Sequence, residues 1–114
     1  KEKRVQNLYV FIVETPEGIC IVKRESGVLK GLNGFITVEK GDLSEEDALK
    51  RAGIVAPVVV KRKKFVHIFT HIRWEMDCLY VTAEDAPANK VSREELVKSV
   101  ALPTAFRQCL EMLL

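Results

Sequence analysis

The feature that most constrains the fold is the strict alternation of residue types from Ile72 to Tyr80, in the segment "IRWEMDCLY". One phase holds Ile72, Trp74, Met76, Cys78 and Tyr80, and the other holds Arg73, Glu75, Asp77 and Leu79. Successive side chains of a β-strand point to opposite faces, so this pattern predicts a strand that is buried on one face. The upstream segment "IVAPVVVKRKKFVHIF" is also typical of extended chain, which places two strands around "HIFTH".

The two histidines of "HIFTH", His67 and His71, are candidates for a metal site, a catalytic pair or a binding loop. In a continuous strand, residues four apart are about 13 Å from each other, too far for one metal ion with ligands at about 2 Å. No serine or cysteine nucleophile is near in sequence, so a catalytic dyad has no local support. A turn at Phe69, Thr70 and His71 would instead create a hairpin whose tip displays these side chains; otherwise the histidines are polar strand residues.

The rest of the chain predicts a small α+β domain with a mixed sheet flanked by short helices. Residues 7–25 read as a hairpin around the turn "PEG", and the loop "SGVLKGLNG" follows. Ser44 with Asp47, and Ser92 with Glu95, have the spacing of capping boxes and predict two short helices. The segment "LPTAFRQCLEMLL" is amphipathic and predicts a third. We expect a single domain over 7–114, with 1–6 as the remnant of a linker.

Charge and cysteine content exclude several classes of protein. The net charge of +2 is too small to indicate a nucleic-acid partner by itself. The run "KRKK", which contains Arg62, Lys63 and Lys64, is either a solvated strand end or a patch that faces phosphate. Three separated cysteines with no Cys-x-x-Cys argue against a disulfide framework or a zinc site, and fit a reducing intracellular compartment. The longest apolar stretch has nine residues, against about 20 for a membrane span.

Three segments, taken together and in order, resemble the C-terminal domain of MutY-type A/G-specific adenine DNA glycosylases. His-x-Phe-Thr-His followed by the alternating strand with its Trp is one, and "VKRESGVLKGLNGF" is similar to the family's Lys-Arg … Gly-Leu-Leu run. "ALPTAFRQCL" resembles its closing Leu-Pro-Ser/Thr-Ala-Phe-Arg/Lys motif. The family's Trp-Glu-Phe-Pro is replaced here by "NGFI", a departure that concerns the packing of that loop.

The resemblance implies a Nudix-like fold that recognises 8-oxoguanine opposite adenine in duplex DNA, for base excision repair. The matching lesion-binding residues are Phe69, Thr70 and His71, with Gly27 placing backbone against the lesion strand. Phe69 is alternatively a core aromatic, and Thr70 a plain turn residue. Excision would belong to an N-terminal glycosylase domain of the same chain that carries a 4Fe–4S cluster. For this fragment we therefore expect no catalytic residue, metal or cofactor, no enzymatic activity of its own, and a cytoplasmic, nucleoid-associated location in a bacterium.

Two other functions compete with this interpretation. Nudix hydrolases of oxidised nucleotides resemble one another in a helix with Arg-Glu-x-x-Glu-Glu-x-Gly, whose carboxylates hold Mg²⁺. Here Lys50 and Arg51 occupy the two Glu positions before the closing Ala-Gly, so we expect no such activity. The same sheet would also serve as a protein-interaction module through exposed aromatic residues such as Phe69 or Trp74.

Overall fold

Seven strands form one mixed sheet, and short helices cover both of its faces. The computed structural model describes residues 3–114. The strands are β1 (Arg4–Thr15), β2 (Gly18–Lys23), β3 (Asn33–Gly34), β4 (Ile36–Glu39), β5 (Val58–Ile68), β6 (Ile72–Thr82) and β7 (Asn89–Val91). The helices are α1 (Glu45–Arg51), α2 (Arg93–Lys98) and α3 (Thr104–Arg107), followed by a 3₁₀ helix (Gln108–Leu113). The expected α+β class with a mixed sheet and short helices is confirmed.

Strand β1 is the centre of the sheet, in the order β3-β2-β1-β6-β5. It pairs with β6 in parallel over its length, from Arg4 opposite Ile72 to Glu14 opposite Thr82. Its other edge pairs antiparallel with β4 and then with β2. Residues 8–13 of β1 are buried on both faces, which explains why "LYVFIV" is a continuous apolar run rather than an alternating one.

The two faces of the sheet carry separate hydrophobic cores. On one face, Trp74, Met76 and Cys78 of β6 pack with α2, α3 and the 3₁₀ helix. On the other, Leu79 and Val81 pack with α1. The alternation predicted for β6 is therefore correct, and Leu79 breaks the polar phase because α1 covers that part of the second face.

The helix starts follow the predicted caps. The Ser92 hydroxyl accepts a hydrogen bond from the Glu95 backbone N–H at 3.0 Å, and the Glu95 carboxylate accepts one from the Ser92 N–H at 3.1 Å. Ser44 caps α1 by accepting from the Asp47 N–H at 3.1 Å. The predicted C-terminal helix is divided into α3 and the 3₁₀ helix. Within residues 3–114, none of the helices has the length and apolar character needed to cross a membrane.

Residues 4–6, assigned from sequence to a linker, form the first part of β1. The physical reason is their parallel pairing with β6 and one side-chain contact: the Trp74 indole N–H donates to the Gln6 amide oxygen at 2.8 Å. Residues 1 and 2, the rest of the expected linker, lie outside the described residues.

Gly18, where the turn after β1 leads into β2, has a φ of +134°. A Cβ added there would meet the Val91 carbonyl oxygen at 2.5 Å. Both the strained backbone and this clash with β7 oppose a side chain, so we expect Gly18→Ala to lower the free energy of unfolding by more than about 3 kcal/mol. Urea unfolding followed by circular dichroism measures the change.

Gly31 is the matched control, because its φ is +83° but a Cβ there would meet nothing within 4 Å. Gly31→Ala is expected to cost only the backbone strain, about 1–2 kcal/mol. Equal losses for the two variants would contradict the packing described at Gly18.

Candidate functional site

A tight turn at the end of the β5–β6 hairpin presents Thr70 and His71 to solvent. The Phe69 N–H donates to the Ile72 carbonyl at 2.8 Å, which closes the turn. The Lys3 ammonium donates to the Thr70 carbonyl at 2.9 Å, and the Arg4 N–H donates to the His71 carbonyl at 3.1 Å. Both side chains are exposed, while the backbone beneath them is tied to the start of β1. The predicted turn at these three residues is confirmed.

Phe69 anchors this turn to the core. Its ring is half-buried and packs edge-on against Trp74 at 5.0 Å and against His67 at 4.7 Å between centroids. Trp74 is fully buried and contacts Phe106 at 5.6 Å. This packing agrees with the interpretation of Phe69 as a core aromatic, and it fixes the position of Thr70 relative to the sheet.

Gly27 lies in the loop that follows β2 and adopts a φ of +70°, a conformation that favours glycine. The ends of this loop are held together, because the Arg24 N–H donates to the Leu32 carbonyl at 2.9 Å and the Gly31 N–H donates to the Arg24 carbonyl at 2.8 Å. Gly27 is exposed to solvent in this closed loop.

The glycine loop borders a cleft of about 510 Å³ that reaches the first residue of β6. Gly27 lines it from the loop, and Ile72 lines it from the base of the turn. The remaining lining residues come from β1, β2, β4 and the same loop: Arg4, Gln6, Leu8, Val22, Lys23, Arg24, Glu25, Ser26, Val28, Phe35, Thr37 and Glu39. The cleft therefore extends from the loop of Gly27 to Ile72 beside the hairpin turn, while Phe69, Thr70 and His71 are not among its lining residues.

Arg24 connects the loop of Gly27 with the hairpin turn and was not selected from sequence. Its Nε donates to the Val28 carbonyl at 2.8 Å, within the glycine loop. Its guanidinium carbon lies 4.9 Å from the centre of the Trp74 ring, and Trp74 in turn contacts Phe69. Burial lowers the pKa of the Arg24 guanidinium, which remains a cation at neutral pH. The "KR" pair in the motif "VKRESGVL" was the only sequence indication of this position.

Three of the four consecutive basic residues in β5 are each paired with a carboxylate, and the fourth, Lys61, donates to the Leu114 carbonyl. Arg62 makes two hydrogen bonds to Glu45 of α1, at 3.0 and 2.7 Å. Lys63 pairs with Glu111, and Lys64 lies 3.3 Å from an Asp77 carboxylate oxygen. These contacts tie the strand to α1, β6 and the 3₁₀ helix. A phosphate-facing role for Arg62, Lys63 and Lys64 stays a prediction.

The acidic residues of α1 are clustered in its first turn, and Lys50 and Arg51 occupy its last. Glu45 pairs with Arg62, and Glu46 pairs with Lys50 at 3.3 Å. In the part of the chain that the structure describes, no three His, Cys, Asp or Glu side chains are grouped so as to hold a metal ion. The side chains of α1 do not fit the Mg²⁺ site of the Arg-Glu-x-x-Glu-Glu-x-Gly motif, because Lys50 and Arg51 stand where the motif has its pair of Glu ligands.

The different roles of Thr70 and Phe69 predict different effects on stability. Thr70→Ala removes an exposed hydroxyl and is expected to change the free energy of unfolding by less than about 0.5 kcal/mol. Phe69→Ala removes a ring packed on Trp74 and is expected to cost about 2 kcal/mol, less than a fully buried Phe. Chemical unfolding followed by Trp74 emission compares them; a large loss in Thr70→Ala would contradict the exposed turn.

Solved structures of low sequence identity share this fold. The MutT NUDIX hydrolase of Burkholderia pseudomallei superposes with a TM-score of 0.65 at 14% identity, covering 98% of this chain and 100% of that one. The NUDIX domain of Shewanella oneidensis NrtR, solved with ADP ribose, gives 0.63 at 13% identity, covering 99% and 87%. The E. coli ORF135 protein gives 0.61 at 16% identity, covering 90% and 84%. No curated protein sequence matches the chain significantly.

A family model described as NUDIX domain matches residues 9–112, almost the whole chain. With hydrolases among the structures that share its fold, this match overturns the expectation that the chain is not an enzyme; that expectation is wrong. It rested on the MutY-type resemblance, which assigns excision to another domain, and on the two cations in α1, which bear on one motif and not on the family as a whole. The MutY-type resemblance is more specific than these comparisons and stays a prediction. The expected Nudix-like fold is confirmed, and the chain belongs to the NUDIX domain family.

Proposed function

We propose that this NUDIX domain recognises 8-oxoguanine opposite adenine in duplex DNA and belongs to an A/G-specific adenine DNA glycosylase. The observation that carries the proposal is the exposed Thr70 hydroxyl on a turn held rigidly by Phe69 and β1. A binding group on a braced turn keeps its geometry without losing conformational entropy when the ligand arrives.

The chemistry of Thr70 suits an oxidised purine. Oxidation at C8 turns the guanine N7 from a hydrogen-bond acceptor into an N–H donor and adds a carbonyl oxygen. A hydroxyl both donates and accepts, so Thr70 is able to meet either of the altered atoms. Sites built around a required hydrogen bond reject analogues that lack it more sharply than apolar pockets do. Normal guanine would leave the hydroxyl without this pair of contacts.

The neighbouring residues have supporting roles in the proposal. His71 is exposed beside Thr70 and would reach a phosphate of the lesion strand, while Phe69 braces the turn from below. Gly27, exposed on the adjacent loop, allows close approach of backbone to the same strand. Few phosphate contacts are available on such a surface, so DNA binding by this domain should be weak and should fade quickly with added salt.

In the proposed protein, adenine excision is supplied by a glycosylase domain that carries a 4Fe–4S cluster, in a bacterial cytoplasm. The NUDIX domain selects the base pair, because it lengthens the time that the enzyme stays bound where adenine lies opposite 8-oxoguanine. The mispaired duplex and the glycosylase domain are then its two partners.

Thr70→Ala tests the proposal. Loss of the hydroxyl is expected to reduce the preference for an 8-oxoguanine:adenine duplex over a guanine:adenine duplex by about 1–3 kcal/mol, roughly 5- to 150-fold. Fluorescence anisotropy with the two labelled duplexes, at one fixed low salt concentration, measures the ratio of dissociation constants. Thr70→Ser, which keeps the hydroxyl, is the matched control and should retain the preference. An unchanged ratio in Thr70→Ala would reject the assignment.

The second candidate function is hydrolysis of an oxidised nucleoside triphosphate by this domain. The match to the NUDIX domain family favours it, and so does the fold shared with the MutT NUDIX hydrolase of Burkholderia pseudomallei. It predicts release of pyrophosphate from 8-oxo-dGTP when the chain is incubated with Mg²⁺ or Mn²⁺. Steady release that is lost in Thr70→Ala would assign the hairpin tip to a free nucleotide. Absence of release with either ion would contradict this candidate.

A further inference from the structure

Arg24 has the surroundings of an anion-binding residue. Among residues 3–114 its guanidinium forms no ion pair, although other cations of the domain such as Arg62, Lys63 and Lys64 are paired with carboxylates. It is half-buried and lies over Trp74 and, at 6.0 Å, Phe106. A desolvated cation without a counter-ion is costly for a fold to retain, which points to a ligand that supplies the negative charge.

The guanidinium uses Nε for its hydrogen bond to the Val28 carbonyl, and within residues 3–114 its Nη groups have no hydrogen-bond partner. Nη2 lies 4.0 Å from the position that a Cβ on Gly27 would occupy. Nη2 and the exposed backbone of Gly27 are therefore neighbours at the cleft that both residues line. A guanidinium held by its Nε and stacked on an indole is preorganised for a two-oxygen contact with phosphate.

We propose that Arg24 binds one phosphate group of the ligand beside Gly27, while Thr70 of the hairpin tip selects the oxidised base. This inference rests on the proposed function, in which the phosphate is a phosphodiester of the lesion strand. Arg4 and Lys23 line the same cleft and add positive charge, and Glu25 and Glu39 oppose it. Arg24 and Phe69 both pack against the Trp74 ring, so one buried side chain positions both the phosphate contact and the hairpin tip.

The test is Arg24→Gln in the whole chain, with binding to both duplexes measured across a series of salt concentrations. Loss of one phosphate contact should weaken binding to the 8-oxoguanine and guanine duplexes by the same factor. It should also reduce the slope of log K against log salt by about one. Lys30→Gln, which removes an exposed cation from the same loop, is the matched control and should leave the slope unchanged.

The result separates this inference from the proposed function. Equal weakening with a smaller salt slope supports the phosphate contact, even if Thr70→Ala leaves the base preference unchanged. The binding of 8-oxo-dGTP is measured in parallel. An unchanged slope in folded Arg24→Gln together with unweakened binding of 8-oxo-dGTP, or a loss confined to the 8-oxoguanine duplex, would overturn the inference. If Arg24→Gln weakens only the binding of 8-oxo-dGTP, the phosphate contact stands and its source is a free nucleotide.

Trp74, the single tryptophan, reports directly on the stack. Its emission spectrum and thermal unfolding establish whether Arg24→Gln is folded. If it is not folded, the wild-type chain is titrated with inorganic pyrophosphate at millimolar concentration while Trp74 emission is recorded. An anion that binds to Arg24 should change this emission saturably. Arg24→Lys should weaken that response, and Lys30→Gln should not. The absence of any saturable change in the wild-type chain would overturn the inference.

Discussion

The buried indole of Trp74 is the contact on which the arrangement of the candidate site depends. It receives the edge of Phe69 from the hairpin turn, the ring of Phe106 from α3 and the guanidinium of Arg24 from the glycine loop. Its N–H is satisfied by Gln6 on β1, so the polar atom is buried without cost in lost hydrogen bonding. Three segments that are distant in sequence thereby take fixed positions around one side chain, and the turn that carries Thr70 is one of them.

The parallel pairing of β1 with β6 brings this group together. It sets Gln6 opposite Trp74 in register, and it lets Arg4, the first residue of β1, and Lys3 just before it hold the turn by hydrogen bonds. Because β1 is buried on both faces, this register is strongly specified: a slip by one residue would exchange its two sets of core side chains. The rigidity of the tip is thus a consequence of how the central strand is buried.

Much of the fold could be predicted from local patterns. The alternation in β6, the turn at Phe69–His71 and the caps at Ser44 and Ser92 each depend on neighbouring residues, and each was found as expected. The parallel pairing of β1 with β6 could not be predicted in this way, since nothing local in "RVQNLYV" specifies a partner 68 positions away. For the same reason local patterns predict a linker at residues 4–6, which the structure places in β1.

In the candidate site, too, some features depend on neighbouring residues and could be predicted, whereas others depend on distant segments and could not. The turn that exposes Thr70 and His71 is a local property, whereas their role as lesion-binding residues comes from the MutY-type resemblance and stays a prediction. The ion pairs of Arg62 with Glu45 and of Lys63 with Glu111 join distant segments, so a basic run in sequence gave no indication that its charges are matched. Arg24 was missed because its two distinguishing features, Trp74 beneath it and the absence of an ion pair among residues 3–114, both depend on distant segments. The MutY-type resemblance, together with the two cations of α1, led to the wrong expectation that the chain is not an enzyme, because neither represents the NUDIX domain family as a whole.

The central claim is that the turn at Thr70 meets the altered edge of an oxidised purine in DNA. The most direct measurement is a ¹⁵N–¹H NMR titration of the chain with an 8-oxoguanine:adenine duplex. The account predicts that the amide shifts cluster at 69–71 and at the glycine loop, with smaller changes for the guanine:adenine duplex. Shifts concentrated on α1, with the amides of the hairpin tip unchanged, would contradict it.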